Sequence, residues 1–356
     1  MSSVELKSGP ISSLYVLKAI CAFLVVVIHF PMKYGYYFYP IVRIAVPCFF
    51  MISGYFLYND NREKMISNLK RALSKTLHVT ITAYLFYFLI EIVNYIIFKG
   101  NSLSTSSNTI FYYLLAGPQI GSSSHLWYLI AYLETLIVAF ICTKSNTIKI
   151  LWCLIPIGLT ANLLLGKYGF LLPSFDFSSV GIPKYIIARN FFTIGIPAFA
   201  CGLLLRKNIA QINERVNNKK AWITAISFLI LASLEFVVLH IKFELKYMAD
   251  ISLFTMPLAI SFILLCLKYP DFWNKSYITT IGHRYSSDIY IYHMFGGNFI
   301  VGYIAAIIYK ITGVECLAIY NAPTVFIATL IFVIVLQRCL AWAKTKISFK
   351  KQSATN

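Results

Sequence analysis

The sequence predicts an all-α protein, a polytopic bundle of about ten transmembrane helices in a single domain covering residues 1–356. Of the 356 residues, 59% are apolar and 12% are charged, whereas soluble domains are about 45–50% apolar and about 25% charged. The apolar residues also form runs of about 20, the length that crosses a bilayer. Composition thus excludes a water-soluble enzyme, a disordered chain and a disulfide-stapled secreted scaffold.

Ten apolar runs meet this length criterion. They are Leu14–Phe30, Phe38–Tyr58, Leu77–Phe98, Leu126–Cys142, Ile150–Leu165, Phe191–Leu205, Trp222–Leu239, Ile251–Leu267, Ile289–Tyr309 and Ala322–Leu340. The longest connections, 99–124 and 166–188, are rich in Ser, Gly and Pro and are typical of outer loops. The first run lacks a small-residue cleavage site, so we expect a retained helix.

The basic residues set the predicted orientation. There are 31 Lys+Arg against 13 Asp+Glu, a formal charge of +18. Most of the basic residues fall between runs on one side, which predicts that both termini are cytoplasmic. We interpret the positive charge as anchoring at the membrane edge, with lipid and not nucleic acid as the partner. The eight cysteines follow no metal or redox spacing and are interpreted as small buried hydrophobic residues, with a catalytic thiol as the alternative.

Ionisable side chains inside spans are functional candidates, because they are costly unless they face a bundle interior or a cavity. In the predicted orientation these candidates sort by depth. Toward the outer side lie His29, Arg43, Glu91, His125 with its neighbour Trp127, Arg189 and Glu235. Toward the inner side lie Lys18, Lys70, Arg71, Lys75 and Asp288, and His293 is nearer the middle. No metal-ligand spacing is found among the histidines and acids, so no metal site is predicted.

The first helix carries the most informative spacing. Lys18 and His29 are eleven residues apart, about 20° from a whole number of turns, so both leave the same face of a helix. Their separation along the axis is roughly 16 Å, similar to an extended pantetheine arm. An anion held at Lys18 would therefore present a thioester near His29. The alternatives are a snorkelling lysine and a histidine that only packs.

The second run predicts a break in its helix. Arg43 lies at nearly the depth of His29, because this helix runs back inward. Pro47 and Gly54 permit a kink that opens the helix around Ser53. The alternative is that Ser53 and Gly54 form a packing face of small residues.

Five blocks of sequence together resemble the acyltransferase-3 family of integral membrane O-acyltransferases. They are the K-x10-H spacing of Lys18 and His29, VPCFFMISGYFL at 46–57, HLWYL at 125–129, RNFFTIGIPAFACGLLL at 189–205 and SSDIYIYH at 286–293. The resemblance covers essentially the whole chain in the order of the family. Many members carry R-x-x-R in the second cytoplasmic connection, whereas this chain has KRALSK at 70–75.

The resemblance implies an enzyme of the bacterial cytoplasmic membrane that transfers an acyl group, commonly acetyl, from cytoplasmic acyl-CoA to a hydroxyl of a surface or lipid-linked carbohydrate. We assign His29 and Arg43 as catalytic candidates. The assigned donor-binding residues are Lys18, Lys70, Arg71 and Lys75, and the assigned substrate-binding residues are Glu91, His125, Trp127, Arg189 and Glu235. Ser53, Asp288 and His293 are further candidates.

Two other functions also require polar groups inside the bundle. One is a non-enzymatic exporter of a lipid-linked or short glycan, and the other is a structural subunit of an envelope polysaccharide complex. A homo-oligomer or polysaccharide-assembly partners remain open. In the enzymatic interpretation, His29 would act as general base or carry the acyl group briefly. Arg43 would then orient the partner of His29, hold a charge on the glycan or stabilise the oxyanion.

Overall fold

The computed structural model describes residues 11–98, 117–118, 121–171, 187–243, 251–313 and 319–355, and within them it is helical with no strand. The first ten residues and most of the two predicted outer loops, 99–124 and 166–188, lie outside the described residues. The prediction of an all-α membrane protein is confirmed.

Fourteen α-helices within the described residues position the site. They are α1 (Ser12–His29), α2 (Tyr39–Val42), α3 (Ala45–Leu57), α4 (Arg62–Phe98), α5 (Trp127–Lys144), α6 (Lys149–Leu165), α7 (Ile196–Lys207), α8 (Ile209–Arg215), α9 (Asn218–Phe243), α10 (Thr255–Lys268), α11 (Tyr277–Thr280), α12 (Ser286–Phe295), α13 (Gly302–Thr312) and α14 (Ala322–Thr355). Short 3-10 helices precede α2 and α5, at Gly35–Phe38 and Gly121–Leu126, and a third follows α6 at Gly169–Leu171.

Each of the ten predicted apolar runs lies largely within helical segments of the structure. Seven helical stretches in the described residues are long and apolar enough to cross a membrane. The pair Phe191–Lys207 and Ile209–Arg215, bent by 72°, forms either an eighth, broken span or a re-entrant loop, and two shorter apolar helices are α6 and α10. The chain is therefore a multi-pass membrane protein, while the count of ten and the cytoplasmic termini stay predictions.

Helix α1 lies in the centre of the bundle. It packs against α3, α10, α12 and α14 and against the π-helix Ile281–Tyr285. A side chain at Gly282 would collide with the backbone of Tyr15, so this π-helix lies directly on the α1 backbone. Because other helices surround α1, its polar side chains face protein over most of the length of the helix.

Helices α3 and α7 form another close backbone contact. A Cβ at Gly54 would overlap the carbonyl of Phe199, and a Cβ at Gly202 would overlap the carbonyl of Met51. Small residues permit this approach in membrane helices. The packing interpretation of Gly54 is thus confirmed, and the neighbouring Ser53 side chain is a hydrogen-bond partner of Tyr132.

Within the described residues, three π-helices interrupt the bundle where polar residues occur. One, Phe191–Gly195, begins two residues after Arg189, and the other two, Ile281–Tyr285 and Gly296–Val301, flank α12. Such segments change the pattern of i to i−4 hydrogen bonds and often occur at functional sites. The ten-residue helix α12, which carries Asp288 and His293, is therefore held between two irregular segments.

Candidate active site

The polar face of α1 points into the protein. Ala22 and Val25 lie between Lys18 and His29 on the predicted stripe, and their side chains are fully or almost fully buried. Lys18 is half-buried, and His29, at the C-terminal end of the helix that is predicted to face outward, is exposed. The two polar side chains therefore mark the two ends of one protein-facing stripe.

Three histidines from three helical segments meet at the outer end of this stripe. The ring centre of His29 lies 5.0 Å from that of His293 and 6.3 Å from that of His125. The rings of His125 and His293 are 4.8 Å apart. The sequence places His293 nearer the middle of the membrane, but its ring belongs to this outer cluster, which we call the histidine cluster (His29, His125 and His293).

His125 is locked in place. Its side chain is buried, and its Nδ1 and Nε2 contact the carbonyl oxygens of Ser122 at 3.1 Å and Ile291 at 2.9 Å. Tyr87 donates its hydroxyl proton to the same Ile291 carbonyl at 2.8 Å, and Tyr290 donates to the carbonyl of His125. Helices α4 and α12 thus fix both the ring and the backbone of His125.

His293 is also buried, with no exposed surface. Its Nδ1 donates to the carbonyl of Tyr290 at 2.7 Å. A carbonyl only accepts, so the proton of the neutral ring is on Nδ1 and the lone pair is on Nε2.

His29 differs from both in being open. It lines a cleft of about 350 Å³ together with Tyr39, Arg43, Met32 and other residues of the connection between α1 and α3. The described part of the chain contains no hydrogen bond to its ring. Its imidazole can therefore turn and accept a proton from a molecule in the cleft.

Two arginines place positive charge near His29. The charges of both Arg43 and Arg189 act on the His29 ring. Arg43 ends α2, lies 4.6 Å above the ring centre of Tyr39 and donates to its hydroxyl. Asn190 positions Arg189, because its side chain caps the following π-helix by accepting from the amides of Phe192 and Thr193.

A cluster of three imidazoles raises the question of a metal ion. Histidine binds metals through a ring nitrogen with a free lone pair. Both nitrogens of His125 contact carbonyl oxygens, and the residues described here contain no group of three or more His, Cys, Asp or Glu side chains arranged for a metal.

The profile of the acyltransferase domain family matches residues 11–338, nearly the whole chain. The chain belongs to the acyltransferase-3 family. Comparison of this acyltransferase with curated proteins and with solved structures found no match. The resemblance seen in the sequence is therefore confirmed over almost its full length.

The inner end of the α1 stripe in this acyltransferase brings Lys18 near Lys75 of α4, and their charges act on each other. The charge of Lys75 also acts on Asp288, which accepts a hydrogen bond from Gln337 at 2.6 Å. Lys18, Lys75, Asp288 and Gln337 form what we call the inner cluster. Arg71 lies one turn before Lys75, and both Lys70 and Arg71 are exposed.

The distance between the two clusters, measured along α4, is close to the distance measured along α1. Lys75 belongs to the inner cluster, and Tyr87 shares the Ile291 carbonyl with His125. Lys75 and Tyr87 are twelve positions apart, which corresponds to about 18 Å along the helix, against roughly 16 Å between Lys18 and His29.

Glu91 supports the turn that carries His125. Its carboxylate accepts from the backbone N–H of Ser122 at 3.2 Å, and the carbonyl of Ser122 contacts His125 Nδ1. Trp127 is half-buried against the core in the first turn of α5. Neither is among the residues that line the cleft at His29.

Glu235 is a residue of α9 whose carboxylate reaches the N-terminal end of α10. Its carboxylate accepts from the backbone amides of Leu253 at 2.7 Å and Phe254 at 3.0 Å, and from the hydroxyl of Tyr168. A carboxylate at a helix N-terminus is favourable because of the exposed amides and the helix dipole. Burial and Glu235 raise the pKa of the Tyr168 hydroxyl well above its ordinary value, which keeps it a donor.

Three tyrosines of the site were not predicted from the sequence. Tyr87 and Tyr290 hold His125, and Tyr39 holds Arg43. Tyr39 lies four residues before Arg43 and Tyr87 four before Glu91, the spacing of neighbours on a helix surface. The chain contains 25 tyrosines, so this spacing alone does not select them.

Proposed function

We propose that this protein is an O-acyltransferase of the bacterial cytoplasmic membrane. It transfers an acyl group, most simply acetyl, from cytoplasmic acyl-CoA to a hydroxyl of an extracytoplasmic or lipid-linked carbohydrate. Family membership gives the acyl transfer. The finer assignment rests on one observation: a single protein-facing stripe of α1 joins an inner cluster with two lysines to an imidazole open to an outer cleft.

The inner cluster suits the donor. Lys18 and Lys75 are like charges close together, and even with the Asp288 carboxylate near Lys75 the cluster keeps a net positive charge that additional negative charge would balance. The phosphates of CoA provide that charge. With the phosphates there, the pantetheine arm has the length needed to carry its thioester about 16 Å outward along the helix. Lys70 and Arg71 extend the positive surface along α4.

The histidine cluster suits the transfer. His29 accepts the proton of an acceptor hydroxyl, and the hydroxyl oxygen bonds to the thioester carbonyl carbon. The carbonyl oxygen becomes an oxyanion, which the positive charges of Arg43 and Arg189 stabilise. The carbon–sulfur bond then breaks, and the CoA thiolate takes the proton from His29. The products are the ester and free CoA, and the enzyme is unchanged.

The direct test is transfer by the purified protein. In lipid nanodiscs, with acetyl-labelled acetyl-CoA and surface glycan extracted from cells that make the protein, we expect labelled glycan and an equal amount of free CoA. Mass spectrometry of surface polysaccharide from cells with and without the protein provides the matching test in vivo. Glycan that crosses a proteoliposome membrane without consumption of acetyl-CoA would favour the exporter instead.

A further inference from the structure

His293 contains a ring nitrogen with no role in the transfer described above. The side chain is completely buried, and its Nε2 has no hydrogen-bond partner among the described residues. Because Nδ1 donates to the Tyr290 carbonyl, Nε2 bears a lone pair. Buried polar atoms are almost always hydrogen-bonded, so an unpaired one requires an explanation.

Two rings are near enough to supply an N–H to this nitrogen. His125 contacts the carbonyls of Ser122 and Ile291 through its two nitrogens, so any N–H that it has is directed at those oxygens. His29 has no hydrogen bond in the part of the chain described and faces an open cleft. Of the two neighbours, His29 is therefore the one with an N–H to offer.

The spacing of the rings fits such a bond. An N–H···N bond of about 2.9 Å, with about 1.1 Å from each nitrogen to its ring centre, puts two imidazole centres about 5 Å apart. The centres of His29 and His293 are 5.0 Å apart, with 45° between the ring planes. The proposed bond requires the His29 ring to rotate within the cleft so that one of its nitrogens faces Nε2 of His293.

We propose that His293 is a positioning residue for His29, an inference that rests on the proposed function. Its Nε2 accepts the N–H of one His29 nitrogen and thereby fixes the tautomer in which the other nitrogen presents its lone pair to the cleft. A base held by a third group is a recurring arrangement in acyl transfer. When His29 takes up the hydroxyl proton, the bond to His293 becomes charge-assisted and stronger.

An imidazole suits this position better than a carboxylate. An ionised acid inside a membrane bundle is costly, whereas a neutral histidine accepts the same hydrogen bond without a charge. Since Nδ1 is tied to the backbone of its own helix, the ring of His293 is already oriented before His29 binds to it.

The first test detects the bond itself in the full-length protein. With ¹⁵N-labelled histidine rings in lipid nanodiscs, we expect an NMR correlation across the hydrogen bond between His29 and His293, and an unprotonated Nε2 on His293. The His29→Ala variant should lose the correlation, and a variant at the exposed His78, His78→Leu, should keep it. A protonated Nε2, or no correlation in the wild-type protein, overturns the proposal.

The second test is kinetic. His293→Leu removes the acceptor, whereas the amide oxygen of His293→Gln can replace Nε2. With acetyl-CoA and extracted surface glycan, we expect the Leu variant to lose about tenfold or more in kcat with unchanged KM for both substrates. The Gln variant should recover most of this loss, and the matched control His78→Leu should behave as wild type.

The results separate this inference from the proposed function. A folded Leu variant with wild-type kcat, or a Gln variant as slow as the Leu variant, overturns the role of His293. If both variants fold poorly, the NMR measurement on the wild-type protein decides. A wild-type protein that transfers no acetyl group refutes the proposed function, and the correlation then still shows whether His293 accepts from His29.

Discussion

The two ends of the α1 stripe hold their polar groups in opposite ways. In the inner cluster, Lys18 and Lys75 are like charges that repel each other. In the histidine cluster, His125 is locked by carbonyl oxygens while His29 is open to a cleft. A pair of neighbouring lysines is suited to holding a phosphate, and an open imidazole beside fixed groups is suited to moving a proton. The difference assigns binding to the inner end and chemistry to the outer end.

The largest effect is expected at His29. His29→Ala should lower kcat by about 10²-fold to 10⁴-fold, because it removes the base. The thermal midpoint should fall only slightly, since His29 is exposed and its loss removes one proposed hydrogen bond, to His293, worth about 1 kcal/mol. Labelled acetyl transfer and thermal unfolding in nanodiscs measure the two quantities.

Addition of free imidazole to variants that lack one ring compares the open His29 with the fixed His125. The cleft of about 350 Å³ at His29 has room for imidazole, so part of the activity of His29→Ala should return. The same addition to His125→Ala should have no effect, because that site is buried. Equal rescue of both variants would remove the distinction.

The next effect is expected at the inner end. Lys18→Met should raise the KM for acetyl-CoA by about tenfold to a hundredfold, the loss of one charge-assisted contact, with a smaller change in kcat. It should also raise the thermal midpoint without ligand, because it removes the repulsion with Lys75. Binding of CoA should stabilise this variant less than wild type.

The control for Lys18 is Lys219→Met, at an exposed position of α9. It should change neither the KM for acetyl-CoA nor the stabilisation by CoA. If the two variants gave the same KM, the charge at Lys18 would be an anchor in the membrane and not part of a donor site.

A smaller effect is expected at Glu91, which holds the turn of His125 through the Ser122 amide. Glu91→Leu removes the acceptor and should lower kcat about threefold to tenfold, in line with about 1 kcal/mol for one hydrogen bond. Glu91→Gln keeps an acceptor oxygen and should be close to wild type. If Gln were as slow as Leu, the charge of Glu91 and not its hydrogen bond would matter.

The smallest effect on activity is expected at Glu235. Glu235→Leu should lower the free energy of unfolding by about 1–2 kcal/mol, because the amides of Leu253 and Phe254, just before α10, lose their acceptor. The KM for the acceptor glycan should not change. A raised KM with unchanged stability would restore the interpretation of Glu235 as a substrate-binding residue.

The sequence by itself determined the class of the protein and the axis of its site. Composition and run length predict a helical membrane bundle, and the eleven-residue spacing places Lys18 and His29 on one face of α1. These conclusions need only the length of a membrane span and the pitch of a helix, which are properties of a single segment.

Only the tertiary structure decided which residues from other segments join that face. It brought Lys75 to Lys18, and His125 and His293 to His29, but it directed the carboxylate of Glu235 to the amides just before α10. Each ionisable residue inside a span is an equal candidate in the sequence, because periodicity gives the direction of a side chain only relative to its own helix. How the helices are rotated against one another is set by packing, such as the contact of Gly282 with the backbone of α1.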